Sequence, residues 1–214
     1  MLGRIVEIAD DQRHLAINRG FLTVKDTATG DPLGKVPLDD IGAVIANAHG
    51  LSYTNNLLVA LAERGAPFVL CGPNHNAVGM LMPIDGNYEQ SKRFDAQIAA
   101  SLPLKKQLWA QIVKAKLQHQ ACVLAAAGAP DQPLVALIKK VRSGDPDNIE
   151  AQGARRYWTL LFGKEFRRDQ SAEDINSFLN YGYTVLRACM ARSIVAAGLH
   201  PSLGLHHSNA GNPM

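Results

Sequence analysis

At Asp85-Gly86-Asn87 the hydrophobic period of the sequence changes, and no other feature constrains the fold as strongly. Before that point, short β-branched and aromatic runs alternate with turn residues. Residues 4–8, 14–18 and 21–26 read as strands. Asp10-Asp11-Gln12 and Arg19-Gly20 read as hairpin connections, and Thr29-Gly30-Asp31-Pro32 as another turn. Residues 39–46, 67–71 and 80–84 add strands around one helix over 52–64, where Leu57, Leu58, Leu61 and Ala62 keep helical spacing. After the boundary nearly everything is helical. Helices are predicted over 90–100, over 104–127 behind Pro103, and over 132–141 behind Asp131. Another opens at Asp145-Pro146. A last long one starts from a capping-box-like Ser171/Asp174 and stops at Gly198, with Ile175, Phe178, Leu179, Gly182, Leu186 and Cys189 on one face. The predicted fold class is α+β: a small β-rich domain over residues 1–84, a linker over 85–91, and a larger all-α domain over 92–214.

Charge divides at nearly the same place. Residues 1–89 hold 6 Lys/Arg against 10 Asp/Glu, whereas residues 90–214 hold 16 against 9. A basic helical half points to a polyanionic partner such as nucleic acid. No apolar run approaches the roughly 18 residues of a membrane span, so no membrane partner is expected. The acidic start MLGRIVEIADDQRH does not read as a signal peptide. Cys71, Cys122 and Cys189 are odd in number and far apart, with no CxxC pair. They read as free thiols of a reducing cytosol. There is no G-x-S-x-G, P-loop or GxGxxG, which leaves hydrolase, triphosphatase and dinucleotide readings without support.

Two stretches carry candidate chemistry. In SGDPDNIEAQGARRYW, Asp145 reads as an N-cap, Pro146 as the first helical residue and Asp147 as a dipole-matched acid. Glu150 follows about one turn inside. Its neighbours three and four positions on, Gly153 and Ala154, leave room for a ligand or for a closely packed helix. In HPSLGLHHSN, adjacent side chains diverge, so one of His206 and His207 would serve a given metal. A carboxylate with an imidazole suits Mg²⁺ or Mn²⁺ better than a closed zinc site. His49, His75 and His119 have no partner at metal spacing.

Taken together, PFVLCGPNHNAVGMLMPIDG, SGDPDNIEAQGARRYW and INSFLNYGYTVLRACMARSIVAAGLHPSLGLHHSN resemble the CRISPR-associated integrase, the catalytic subunit that inserts new spacers into CRISPR arrays. The resemblance runs over residues 1–212. Its double histidine is nearest the type II lineage. It implies a bacterial, cytoplasmic, divalent-metal-dependent DNA endonuclease and integrase using Mg²⁺ or Mn²⁺. Its partners would be protospacer and CRISPR-repeat DNA, a second copy joined through the β domains, and a small ferredoxin-like adaptation subunit. Glu150 matches the family's first metal-binding acid. His207 matches its metal-binding histidine, because the last position of L-G-x-x-H is the one members without the pair keep. The third ligand is an acid in a segment that follows this loop, and this sequence ends before it. Arg155, Arg156, Lys164, Arg167, Arg168 and Arg187 are the candidate DNA-binding residues. Two other readings stand beside this one: a weak or inactive dimeric DNA-binding fragment without the third ligand, and a non-enzymatic helical nucleic-acid-binding protein.

Overall fold

The computed structural model describes residues 3–73, 75–172 and 174–206. The fold is α+β, with strands first and helices after. Two compact units are present. One comprises Met1–Phe94 with Gln170–Pro201, and the other Asp95–Asp169 with Ser202–Met214. The grouping is discontinuous in sequence, where the change of period alone suggested one boundary over 85–91.

The first unit contains two four-stranded sheets. In one, β1 (Arg4–Ile8), β5 (Ile41–Ala46) and β7 (Phe68–Cys71) run parallel, and β8 (Ala77–Leu81) is antiparallel at the edge. In the other, the order is β4 (Pro32–Pro37), β3 (Phe21–Asp26), β2 (Arg13–Asn18), β6 (Leu51–Tyr53). Strand β5, IGAVIA, is buried throughout, as a central parallel strand covered on both faces must be. Its alternation sorts the neighbours. Val44 and Ala46 join Leu15, Leu22 and the Leu57 and Leu61 side chains of α1 (Asn55–Glu63). Ala43 and Ile45 join Val69 and Ala188.

Ala188 belongs to α6 (Ile175–Ala196), and it explains the discontinuous grouping. This helix lies on the parallel sheet. Arg192 Nη1 donates to Gly42 O at 2.8 Å, and Thr184 Oγ1 donates to His75 O at 3.3 Å. Its buried face is small and polar (Asn176, Asn180, Thr184, Ala188, Ala191), while Phe178 is 79% exposed and Leu186 59%. The apolar stripe read from the sequence is therefore not the face this helix buries here. Ala188 packs on Ala43, Ile45 and Val69 of the sheet, while the buried Asn176 and Asn180 side chains donate to Asp174 Oδ1 and Gln170 O of the preceding segment.

Other expectations also shift. The Asp10-Asp11-Gln12 hairpin does not form, since β1 and β2 lie in different sheets. Asp11 instead accepts the amides of His49 and Gly50, which together lower its pKa. The predicted helix over 52–64 begins at Asn55 under a Thr54 cap, and the residues before it form β6. A 3-10 turn, Leu38–Asp40, precedes β5. Arg19 and Gly20, both at positive φ, do make the β2–β3 hairpin turn.

The second unit is helical. Helix α2 (Gln90–Ile98) runs into it, followed by α3 (Leu102–Ala126), α4 (Gln132–Ile138) and α5 (Ile149–Phe162). Ser101 caps α3, and Pro103 falls in its first turn. Its buried face is Ala110, Val113, Leu117, Ala121 and Leu124; of Leu108, Ile112, Ala115, Leu117 and Val123, which helical spacing picks out in the sequence, Leu117 is buried while Ile112 and Val123 are exposed. That stripe packs with Leu134, Leu137, Val141 and Ile149, and Tyr157, Leu160 and Leu161 close it from α5. Among the described residues, no helix is long and apolar enough to cross a membrane.

Candidate functional site

The start of α5 is built by two turns in succession. Asp145 N donates to Arg142 O, and Asn148 N donates to Asp145 O, both at 2.9 Å. Asp145 (φ 47) and Asn148 (φ 50) both take the left-handed conformation, which short polar side chains tolerate. The helix therefore begins three residues later than expected. Asn148 is the N-cap, its side chain accepting Ala151 N at 3.3 Å, and Pro146 lies in the preceding turn. Asp145 still caps, from outside. Only 7% exposed, its carboxylate accepts Ile149 N and Glu150 N, each at 2.9 Å. Two orphan donors of the first turn are thus satisfied by one buried acid. Asp145→Ala should cost about 2–3 kcal/mol of unfolding free energy in a urea titration, because it strands both amides. Asp145→Asn, which keeps one acceptor oxygen, should cost less, and an alanine variant as stable as the parent would exclude this role.

That cap fixes the backbone of Glu150, whose side chain is 24% exposed. Its Oε1 accepts Lys116 Nζ of α3. The contact depends on how closely the two helices approach. Gly153, three residues after Glu150, is buried, and a Cβ there would lie 2.2 Å from Leu117 Cδ2. Of the two uses foreseen for the small residues after Glu150, Gly153 serves the close-packed helix.

The histidine loop meets the same helix. His206 stacks on Trp109 with ring centroids 4.7 Å apart and planes 10° apart, and Gln97 Nε2 donates to Leu203 O at 3.0 Å. Trp109 and Lys116 are seven residues apart on α3, which places them on one stripe about 10.5 Å apart along the axis. The loop and the acid are therefore both held by one face of one helix. His207, the expected nitrogen donor, lies outside the described residues. Glu150 offers one carboxylate on this face, where it is paired with Lys116; a Mg²⁺-type ion uses one or two carboxylates together with substrate oxygens. Among the described residues, no cluster of three or more His, Cys, Asp or Glu is poised to hold a metal.

Five of the expected basic residues belong to this unit. Arg155 and Arg156 are exposed on α5, and Lys164 is exposed beyond it. Arg167 Nη1 donates to Lys164 O and Phe166 O at 2.7 and 3.0 Å, and Arg168 Nη1 donates to Asp169 O at 3.1 Å. Arg187 is exposed on α6 in the other unit. Lys116 and Trp109 were not singled out from sequence. Their seven-residue spacing is the one signal present, and it has meaning only once the buried face of α3 is known.

The family model described as CRISPR associated protein Cas1 matches residues 6–213. A curated relative, the CRISPR-associated endonuclease Cas1 of Neisseria meningitidis serogroup C (strain 8013), is 41% identical over 180 residues. The match takes in 83% of this chain and 59% of the relative's length, so the chain spans well under two thirds of that protein. Among solved structures, a casposase bound to integration product superposes with a TM-score of 0.75 at 19% identity, over 97% of this chain and 65% of that one. A Cas6-RT-Cas1–Cas2 complex gives 0.67 at 18%, over 99% of this chain and 25% of that one. At these identities the structural likeness shows the fold.

Proposed function

The chain belongs to the Cas1 family of CRISPR-associated proteins, and from that premise we propose that it is the catalytic subunit of a DNA integrase and endonuclease. In the proposed reaction, a protospacer 3′-hydroxyl attacks a phosphodiester of a CRISPR repeat; the new P–O bond replaces the repeat's own P–O3′ bond, and the proton lost by the attacking hydroxyl is balanced by one gained by the departing 3′-oxygen. Glu150 and His207 hold the divalent ion, Mg²⁺ or Mn²⁺. The observation that most supports this reading is the single α3 stripe that holds both Glu150, through Lys116, and the loop leading to His207, through Trp109 and His206. The choice of His207 over its neighbour rests on the family resemblance, which places the donor at the last position of L-G-x-x-H.

When bound, the ion supplies a Lewis acid for the phosphate oxygen. The chain's own residues do the rest. Asp145 fixes the backbone from which Glu150 extends. Arg155, Arg156, Lys164, Arg167, Arg168 and Arg187 grip backbone phosphates and orient the strands, which makes most of the catalysis positioning and electrostatics. The proposed assembly is a homodimer built through the β-rich part over residues 1–84, with the helical part catalytic. Two such dimers are bridged by a small ferredoxin-like partner. The Cas6-RT-Cas1–Cas2 complex among the superposing structures supports a Cas protein partner, and the ferredoxin-like character of that partner is carried by the family resemblance alone.

A second reading, a DNA-binding fragment without chemistry, is favoured by the want of a three-ligand cluster among the described residues. Incubation with 3′-hydroxyl DNA and a repeat target separates the two. The integrase should form joined product in Mn²⁺ or Mg²⁺, and none in EDTA or with a 3′-dideoxy end. Retarded DNA with no product in either metal would favour the second reading. Joining that continues in EDTA would remove the metal from the proposal.

A further inference from the structure

The geometry points to Lys116 as a phosphate-binding residue of this site, one that exchanges its carboxylate partner for a DNA phosphate oxygen when a divalent cation takes Glu150. This rests on the reading of Glu150 as a metal ligand. Lys116 Nζ sits on Glu150 Oε1, one of the two oxygens of the carboxylate that would hold that ion. An ammonium and a divalent ion on one carboxylate would repel each other, so an ion held by Glu150 would loosen the carboxylate's hold on Lys116. The loosened charge needs a new anion, and one arrives with the substrate. A small divalent ion keeps its oxygen ligands about 2.0–2.1 Å away. Such an ion would take substrate phosphate together with its carboxylate, so a phosphate would be the anion at hand for Lys116.

Lysine is suited to such a move. It is a compact charge on a flexible four-carbon stem with three donors, and it binds phosphate as a point charge. The Lys116 side chain is 42% exposed, so it is not locked by packing. An exposed pair of this kind adds little to stability, and the position gains nothing structural from a charge that removing it would forfeit. The exchange also explains why a lysine faces the acid at all. Without metal it neutralises Glu150. With metal and DNA it supplies a positive charge beside the phosphate.

Salt titrations of DNA binding test this on the chain as it stands. Each phosphate contact contributes about −0.9 to the slope of log K against log salt for duplex DNA. Without metal, Lys116 is held by Glu150, so the parent and Lys116→Gln should share one slope. In Mn²⁺ the parent should be steeper than Lys116→Gln by about one contact, and Lys116→Arg should keep the parent's slope. A metal-free arm needs no ion. Glu150→Gln frees the lysine, so this variant should be steeper by about one contact than a Glu150→Gln, Lys116→Gln double variant. Equal slopes in that last pair would overturn the phosphate role of Lys116. A difference there, together with no Mn²⁺ effect in the parent, would instead overturn the placing of a divalent cation on Glu150. Mn²⁺ affinity from the free-ion EPR signal gives a second readout. Lys116→Gln should bind the ion more tightly than the parent, because its competitor is gone, and unchanged or weaker binding would overturn the exchange.

Discussion

Glu150→Ala is expected to lower metal-dependent strand joining by about three orders of magnitude or more, with little change in stability. The two halves of this expectation have separate causes. A Lewis acid at the reacting phosphate contributes several kcal/mol to the barrier, and a site without its carboxylate forfeits that contribution. The fold owes Glu150 much less. Its side chain is 24% exposed and paired with a half-exposed lysine, and pairs of that kind contribute about 0–1 kcal/mol. Its charge at the helix start adds about 0.3–1 kcal/mol through the dipole. The cap that holds α5 is made by Asp145 and Asn148, neither of which needs the Glu150 side chain. Joining assays in Mn²⁺ set beside urea titrations of the same samples check both halves. A Glu150→Ala variant that joins DNA as well as its parent would end the assignment. His207→Ala should act like Glu150→Ala, whereas His206→Ala should slow joining less, because that ring is engaged with Trp109. If His206→Ala does more damage than His207→Ala, the choice between the histidines is wrong.

Legibility from sequence followed the range of the interaction. Arg19-Gly20 was readable because a two-residue turn at positive φ is decided within four residues. Asp10-Asp11-Gln12 has much the same local chemistry and was misread. What decides it is β1 pairing with β5, more than thirty residues away. The start of α5 shows the same limit at shorter range. Asp145 was correctly seen as a capping acid, but Asp145 and Asn148 both fit the role. Only the two left-handed turns settle that the backbone begins its helix after the second. On α6 the apolar stripe is visible but is the wrong guide, since the face that meets the sheet is the small one, where Ala188 packs among Ala43, Ile45 and Val69 and Thr184 donates to His75 O. Glu150 stands out in the sequence as an acid beside small residues in a basic half, and its role as a ligand rests on the family resemblance until the joining assay tests it. Lys116 does not stand out, because one lysine among several on a long helix acquires meaning only from what packs across it.

The packing at that crossing supplies the last large effect. Lys116 is adjacent in sequence to Leu117, and Glu150 lies one turn before Gly153, so the ion pair and the glycine contact are neighbouring parts of one α3–α5 approach. Gly153→Val is therefore expected to cost about 3 kcal/mol and to weaken Mn²⁺-dependent joining, since helices forced apart carry Lys116 and the loop-bearing stripe away from Glu150. Gly153→Ala is the finer test. Alanine gains roughly 1 kcal/mol over glycine in a helix interior. Against that gain, its Cβ would meet Leu117 Cδ2 at 2.2 Å, with Leu137 Cδ1 3.9 Å away. Leu117 is 1% exposed and packed in the helical core, so its side chain must shift against neighbours to admit the methyl, and overpacking of this kind costs about 1–3 kcal/mol. The net expectation is a loss of about 1 kcal/mol in urea, opposite in sign to the helix-propensity prediction. Leu117→Ala opens the space the new methyl needs. The double variant should then be more stable than the sum of the two single losses predicts, by about 1–2 kcal/mol, as coupled neighbours are. Additive losses, or a Gly153→Ala variant more stable than its parent, would show that the helices are not held at this glycine, and the close approach that sets Lys116 on Glu150 would need another cause.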